Sequence, residues 1–470
     1  MSISPAPLQA KFVTGGLTKH IITMSLTSAI GFVALFVVDL ADMLFISMLG
    51  IDELAAAIGF AGTILFMTTS ISIGMAIAGG AMVAKSLGQN KPDLATELLT
   101  HVLIVGVVFA MVFASIIYVN LYGLTALIGA TGNTQELAVS YLKILIPSMP
   151  ILLVGIVASA ALRSHGAARL SMVVILVAGV VNAILDPLFI FTLDMGLDGA
   201  AWASVVSRIS MAMVAVWYLV RRYKGFSGLS FVAIRRDLKP IAAIAIPAML
   251  ANIAAPIGGA YVIKVAAEFG ESAVAGMAII GRLTPVAFAL IFAMSGAIGP
   301  IIGQNFGAGK HHRVKAAFNS SMVLIVLYVI PVVGLLYLCR GVIANVFDAQ
   351  GLTRDLIFLF CGPLSLAWIF NGVIFIGNAA YNNLGHPFYS TWINWGRNTL
   401  GIIPFVYVGA QYWGAEGVLI GQMVGGVFVA MVSFVLAQRL MKKAAKNQIL
   451  EPVEATFGSH QRAFKITHMR

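Results

Sequence analysis

Apolar runs long enough to cross a membrane follow one another from about Thr18 to about Leu440, and few folds can use them. Inside a bilayer every backbone amide must be satisfied within the protein, so the choice lies between helices and a closed barrel. The runs are ~20–30 residues each, about twice what a barrel strand needs. The class is therefore an all-α membrane protein. The chain's balance agrees: of 470 residues, 60% are hydrophobic and 10% charged, against roughly 25% charged in a soluble domain. Met1–Thr18 is short and polar, and the first apolar run is too long for the core of a cleavable signal peptide, so none is expected there.

Twelve spans are expected, near 19–48, 54–84, 96–121, 135–161, 168–192, 198–220, 240–268, 273–302, 315–339, 353–380, 388–411 and 415–441. Even-numbered connections carry the cations: Lys85 and Lys91, Arg163 and Arg169, the cluster from Arg221 to Lys239, and Lys310, Arg313 and Lys315. Odd-numbered connections are acidic or neutral, with Asp52, Glu53, Asp194, Asp198, Glu268, Glu271 and Glu416. Only Arg340 and Arg354 break the pattern, and Asp348 and Asp355 offset them. The bias places both termini in the cytoplasm. It also accounts for most of the net charge of +11, so nucleic acid is not a partner.

The chain repeats itself. Leu49-Gly50 returns as Phe269-Gly270, Gly88-Gln89-Asn90 as Gly303-Gln304-Asn305, Ala160-Ala161 with Gly166 as Ala379-Ala380 with Gly385, and Gly196 with Gly199 as Gly414 with Gly417. The offsets fall between 215 and 220. Six spans per repeat is an even number, so both halves share one orientation about an axis along the membrane normal. The expected organisation is a cytoplasmic N-terminus 1–18, a lobe 19–220, a linker 221–239, a second lobe 240–441 and a tail 442–470. Two lobes around a cleft suit alternating access. No nucleotide engine is present: in Gly303–Lys310 the phosphate-loop pattern fails at Gln304 and His311. An ion gradient is the expected energy source, a proton releasing about 2.3 kcal/mol per 100 mV. Cys339 and Cys361 form no redox or metal motif, and His311-His312 reads as a solvated pair.

The most informative polar residues sit in the first span. Asp42 lies at membrane depth, where a carboxylate costs about 2.5–3.5 kcal/mol and marks a pathway. Asp39 is three residues earlier on the same helix face. Carboxylates crowded in a low-dielectric pocket cannot all stay ionised cheaply, so at least one should carry a proton reversibly.

The pattern Asp42–Gly50, Gly88-Gln-Asn-Lys91, Asn182-Ala-Ile-Leu-Asp-Pro187, Gly199–Ser204 and Gly303–Lys310 resembles the multidrug and toxic compound extrusion (MATE) transporters over about residues 15–440. The resemblance implies two six-helix lobes around a central cavity, with H⁺ or Na⁺ entry driving export of small organic, usually cationic, compounds. It implies no enzyme activity, no cofactor beyond the coupling ion, and a monomer in the lipid. It gives Asp42 the role of coupling carboxylate and adds Asn182, Asp186, Tyr141 and Ser204 to the same polar cluster, with Asp39 beside it. No acid stands mid-span in the seventh or tenth span, which is similar to the DinF-like branch with coupling in the N-terminal lobe alone. Thr27 stands where many relatives have a first-helix proline, leaving Gly31 to permit bending.

Arg208, Lys264, Arg282 and Arg397 also fall inside spans. Lys264, Arg282 and Arg397 are candidates to touch substrate or a polar network in the second lobe. They keep a second reading open, a lipid-linked precursor flippase of the same superfamily. Asp186, just before Pro187, can alternatively be a turn residue, and Tyr141 and Ser204 ordinary interhelical hydrogen-bonders.

Overall fold

The computed structural model describes residues 9–49 and 52–450. All regular structure among them is helical. The first lobe holds α1 (Leu17–Ser47), α2 (Asp52–Gly88), α3 (Pro92–Val119), α4 (Gly132–Ser164), α5 (Ala168–Thr192) and α6 (Gly196–Arg222). The second holds α7 (Phe231–Ala267), α8 (Glu271–Ala287 then Ala289–Gly307), α9 (His311–Val346), α10 (Gly351–Phe360, then Trp368–Asn383), α11 (388–412) and α12 (414–450). By length and apolarity alone the last two count as one 59-residue stretch, Phe388–Lys446. Trp413 and Gly414 divide it, with Gly414 at φ +58° where a side chain would be strained. Twelve crossings result, in two lobes.

The departures from regularity follow the prolines. A 3-10 turn, Ile146–Ser148, with Pro147 and then Pro150, breaks α4, and Pro363 opens the irregular turn of α10. The expected linker 221–239 is helical in its second half, because Ser230 caps α7 by accepting from the Ala233 amide at 3.4 Å. α1 runs unbroken, and Gly31 serves packing there: a Cβ on it would stand 3.5 Å from Ile175 of α5.

Each lobe has its own apolar core, and each core borrows from the other lobe. Ile241, Ile244, Ala245 and Met249 of α7 pack in the first core. Phe12, Ile21 and Met24 pack in the second. The starts of α1 and α7 thus cross over at the basic end of the bundle, the expected cytoplasmic side.

At that end two helices touch backbone to backbone. A Cβ on Gly88 would lie 2.1 Å from the Gln304 carbonyl, and a Cβ on Gly307 would lie 2.2 Å from the Lys85 carbonyl. The contact is reciprocal, and it corrects the register of one sequence repeat. Gly88 corresponds in space to Gly307, and Asn90 (φ +57°) to Gly309 (φ +71°). The recurrence of Gly-Gln-Asn at 303–305 lies one turn too early, because helix ends and not letters define the equivalence.

Side chains clasp the same junction. Gln304 is fully buried; its Nε2 donates to the Ser164 carbonyl of the first lobe at 2.8 Å, and its Oε1 accepts from the Phe12 amide at 2.8 Å. Asn305 donates to the Phe12 carbonyl at 3.1 Å, and Arg313 donates to the carbonyls of Phe12, Thr14 and Gly15. Lys11 donates to the Gly166 carbonyl at 3.1 Å. The short 3-10 helix Lys11–Val13 is therefore strapped across both lobes. His165 stacks on Tyr223 beside it, with ring centroids 4.4 Å apart. Burial pushes its imidazole down to about 4, so it is neutral near pH 7.

Gln304→Ala should leave buried polar groups unpaired, at about 1–3 kcal/mol each, and Gly88→Val should push α2 and α8 apart more strongly. With Cys339 and Cys361 replaced by alanine and a reporter at buried Ser86 (Ser86→Cys), both changes are expected to raise labelling by a water-soluble maleimide, Gly88→Val more. Unchanged labelling in both would count against this junction as the closure.

Candidate ion-coupling site

In the first lobe α1 and α5 bring two carboxyl groups together. Asp186 is completely buried and lies within α5's helical run, which continues through a π-turn, Leu188–Thr192, so it is no turn residue. Asp42 is half-buried, and its side chain meets that of Asp186 within hydrogen-bonding reach. Neither finds a donor: Asp42 Oδ1 and both Oδ atoms of Asp186 have no hydrogen-bond partner. Two ionised carboxylates do not rest against each other in a dry site. The geometry fits one proton shared between them, or a cation.

The surroundings suit that chemistry. Asn182, one turn before Asp186, is buried with its side chain within the same reach of that carboxyl as Asp42 has, short of full hydrogen-bond geometry at Nδ2. Tyr141 of α4 lies beside Ser204 of α6, with Asp42, Asp186 and Arg208 around it. Tyr141 also packs against three apolar clusters and so sits where the helices of this lobe converge. One turn outward of each acid stand Ile46 and Ile190, both buried in one cluster with Leu54 and Leu197, and Phe45 meets Phe191 edge-on at 6.2 Å. This apolar cluster covers the pair on the side away from the basic end.

Of the sequence candidates, Asp42, Asp186, Asn182, Tyr141 and Ser204 come together. Asp39 does not join the pair; its side chain is exposed, within electrostatic reach of Asp42. Lys264, Arg282 and Arg397 lie in the other lobe, on α7, α8 and a π-turn of α11, Arg397–Gly401. Arg208 is held by Ser148 Oγ at 2.7 Å and the Leu145 carbonyl at 3.1 Å.

Sequence reading did not single out the ion network at the basic end. His101 Nδ1 meets Asp237 Oδ2 at 2.7 Å, and Arg236 bridges Asp237 (2.7 Å) and Glu97 (3.0 Å). Glu97, His101 and Asp237 have metal-ligand spacing, but the Arg236 guanidinium already takes both carboxylates. The network ties α3 to the start of α7. His101 inside a long apolar run was the signal available for it.

The MatE family model matches residues 28–188 and again 247–408, one match per lobe. The chain is 27% identical to a FAD transporter of Shewanella oneidensis, over 93% of this chain and 96% of that one. It is 22% identical to the multidrug export protein MepA of Staphylococcus saprophyticus, over 94% of this chain and 98% of that one. Its fold is similar to the solved structure of a point mutant of the Vibrio cholerae MATE transporter VcmN, with a TM-score of 0.85 and 24% identity over 91% and 97% of the two chains. The chain belongs to the MatE family, whose members are membrane transporters and not enzymes.

Proposed function

We propose that this protein is an ion-coupled secondary antiporter, H⁺ favoured over Na⁺, that exports organic drugs or toxic compounds by alternating access. The observation that carries the reading is the donorless contact of Asp42 with Asp186. A proton arriving from outside neutralises the pair, and α1 and α5 can then draw together without a second buried charge. Proton loss reverses this and loosens α1. Na⁺ is the alternative occupant, since Asn182, Tyr141 and Ser204 supply neutral oxygens beside the carboxylates. The absence of mid-span acids in α7 and α10 supports coupling in the first lobe alone, as in the DinF-like branch.

The orientation completes the cycle. With the basic end cytoplasmic, as the loop cations favour, the clasp of Gln304 and Phe12 closes the inner side. The domains are 1–18 as cytoplasmic N-terminus, 19–220 and 240–441 as lobes, 221–239 as linker and 442–470 as cytoplasmic tail, in a bacterial inner membrane. One chain contains both lobes and works as a monomer. The resemblance puts organic cations first among substrates. Lys264, Arg282 and Arg397 favour a second reading, a lipid-linked precursor flippase, because such substrates carry phosphate.

In proteoliposomes with pH and Na⁺ gradients imposed separately, a pH gradient alone is expected to drive substrate transport. Asp42→Asn and Asp186→Asn should each lower that flux at least tenfold while the protein stays folded. Undiminished proton-driven flux in Asp42→Asn would end the coupling proposal. Flux under Na⁺ alone would move it to the alternative ion.

A further inference from the structure

Three arginines lie half-buried within the bundle, and the fold treats them differently. Arg163 donates to Ser171 Oγ at 2.8 Å and Ser159 Oγ at 3.3 Å. Arg208 has Ser148 and the Leu145 carbonyl. Arg397 has no side-chain hydrogen bond and no ion pair among the described residues, although a guanidinium carries five donors. Arg208, mid-helix like Arg397, is held by acceptors, and so is Arg163 in the last turn of α4 at the basic end. An arginine left without any is available to a ligand.

The π-turn sets it between two other helices. A Cβ on Gly426 of α12 would lie 3.9 Å from Arg397 Nε, and a Cβ on Gly258 of α7 would lie 2.7 Å from Asn398 Oδ1. The π-turn thus seats Arg397 and Asn398 between two buried glycine surfaces.

Two more cations stand on neighbouring elements. α7 packs against both the π-turn and the first half of α8. Lys264 is on α7, in the last turn of that helix and one turn before Glu268. Arg282 is on α8, opposite that helix's buried side of Ala273, Met277 and Ile280, on a segment that also packs against α1. Both are exposed, and neither has a hydrogen bond or ion pair among the described residues. A guanidinium turned to lipid at mid-helix is costly, so the cleft is its favourable side. The acids of residues 240–411 are Glu268, Glu271, Asp348 and Asp355, all at or near outer helix ends. Charge is therefore divided between the lobes, with the acid pair in the first and unpaired cations in the second.

We propose that Arg397, with Arg282, forms an anion subsite in the second lobe, and that the transported compounds carry a carboxylate or phosphate. This rests on the exporter reading and narrows its substrate class away from pure cations. A planar guanidinium takes such a group by two parallel charge-assisted bonds. The coupling acids stay free of the substrate, since they lie in the opposite lobe.

The test compares two xanthene dyes of one ring system, anionic carboxyfluorescein and cationic rhodamine 123, by fluorescence polarisation on the purified full chain. A fluorescent short-chain phosphatidic acid in nanodiscs forms a third arm. Carboxyfluorescein is expected to bind more tightly than rhodamine 123. Arg397→Gln should shift the ratio of the two dissociation constants at least tenfold, Arg282→Gln should shift it in the same direction, and Arg397→Lys should restore part of it. Equal thermal melting of the variants confirms folding. Sensitivity of the lipid arm alone would assign the anionic group to a lipid head group, within the same subsite. If no anionic probe responds to Arg397→Gln, or both dyes weaken equally, the subsite is overturned. Loss of coupling is read separately: proton-driven flux that survives Asp42→Asn sinks the exporter mechanism and leaves the binding result standing.

Discussion

The close approach of α2 and α8 is the contact on which the rest of the structure depends. Gly88 and Gly307 let two helix backbones meet where any side chain would force them apart. Because the two contacts are related by the internal repeat, the junction lies on the pseudo-two-fold axis. The side-chain hydrogen bonds between the lobes among the described residues gather at this end, through Gln304, Asn305, Arg313 and the His101–Asp237 network. A molecule tied at one end and crossed over by α1 and α7 has an obvious pivot.

The acid pair and the clasp are coupled through one helix. α1 carries Asp42 toward its outer end, while its inner end packs with Phe12 in the second lobe's core. Under the proposed cycle, a movement of α1 on protonation of Asp42 and Asp186 is felt at the strap. The apolar cluster of Ile46 and Ile190 makes that protonation consequential: in a dry site, adding or removing one charge changes the energy of packing far more than it would in water.

The charge division between lobes gives each a separate task. The first lobe holds acceptors without donors, in Asp42 and Asp186, and the second holds a donor without acceptors, in Arg397. Each is an incomplete hydrogen-bonding set within the protein. Arg163 and Arg208, satisfied by serine hydroxyls, show that the same bundle completes such sets internally where nothing has to bind.

The sequence by itself determined the helical class, the twelve crossings, the repeat and the acid at membrane depth, because lipid imposes length and internal hydrogen bonding on any chain that crosses it. The family pattern added Asp186, Asn182, Tyr141 and Ser204, residues far apart in the chain that periodicity alone does not connect. Only the tertiary structure decided which acid pairs with which. Asp39 and Asp42 share a helix face by spacing, yet packing against α5 turns Asp42 inward and leaves Asp39 exposed. It also set the true register of the repeat at Gly88 and Gly307, gave Gln304 its clasp on Ser164 and Phe12, and left Arg397 without a partner. Those outcomes depend on which helix faces meet across the bundle, and a one-dimensional pattern carries no record of that.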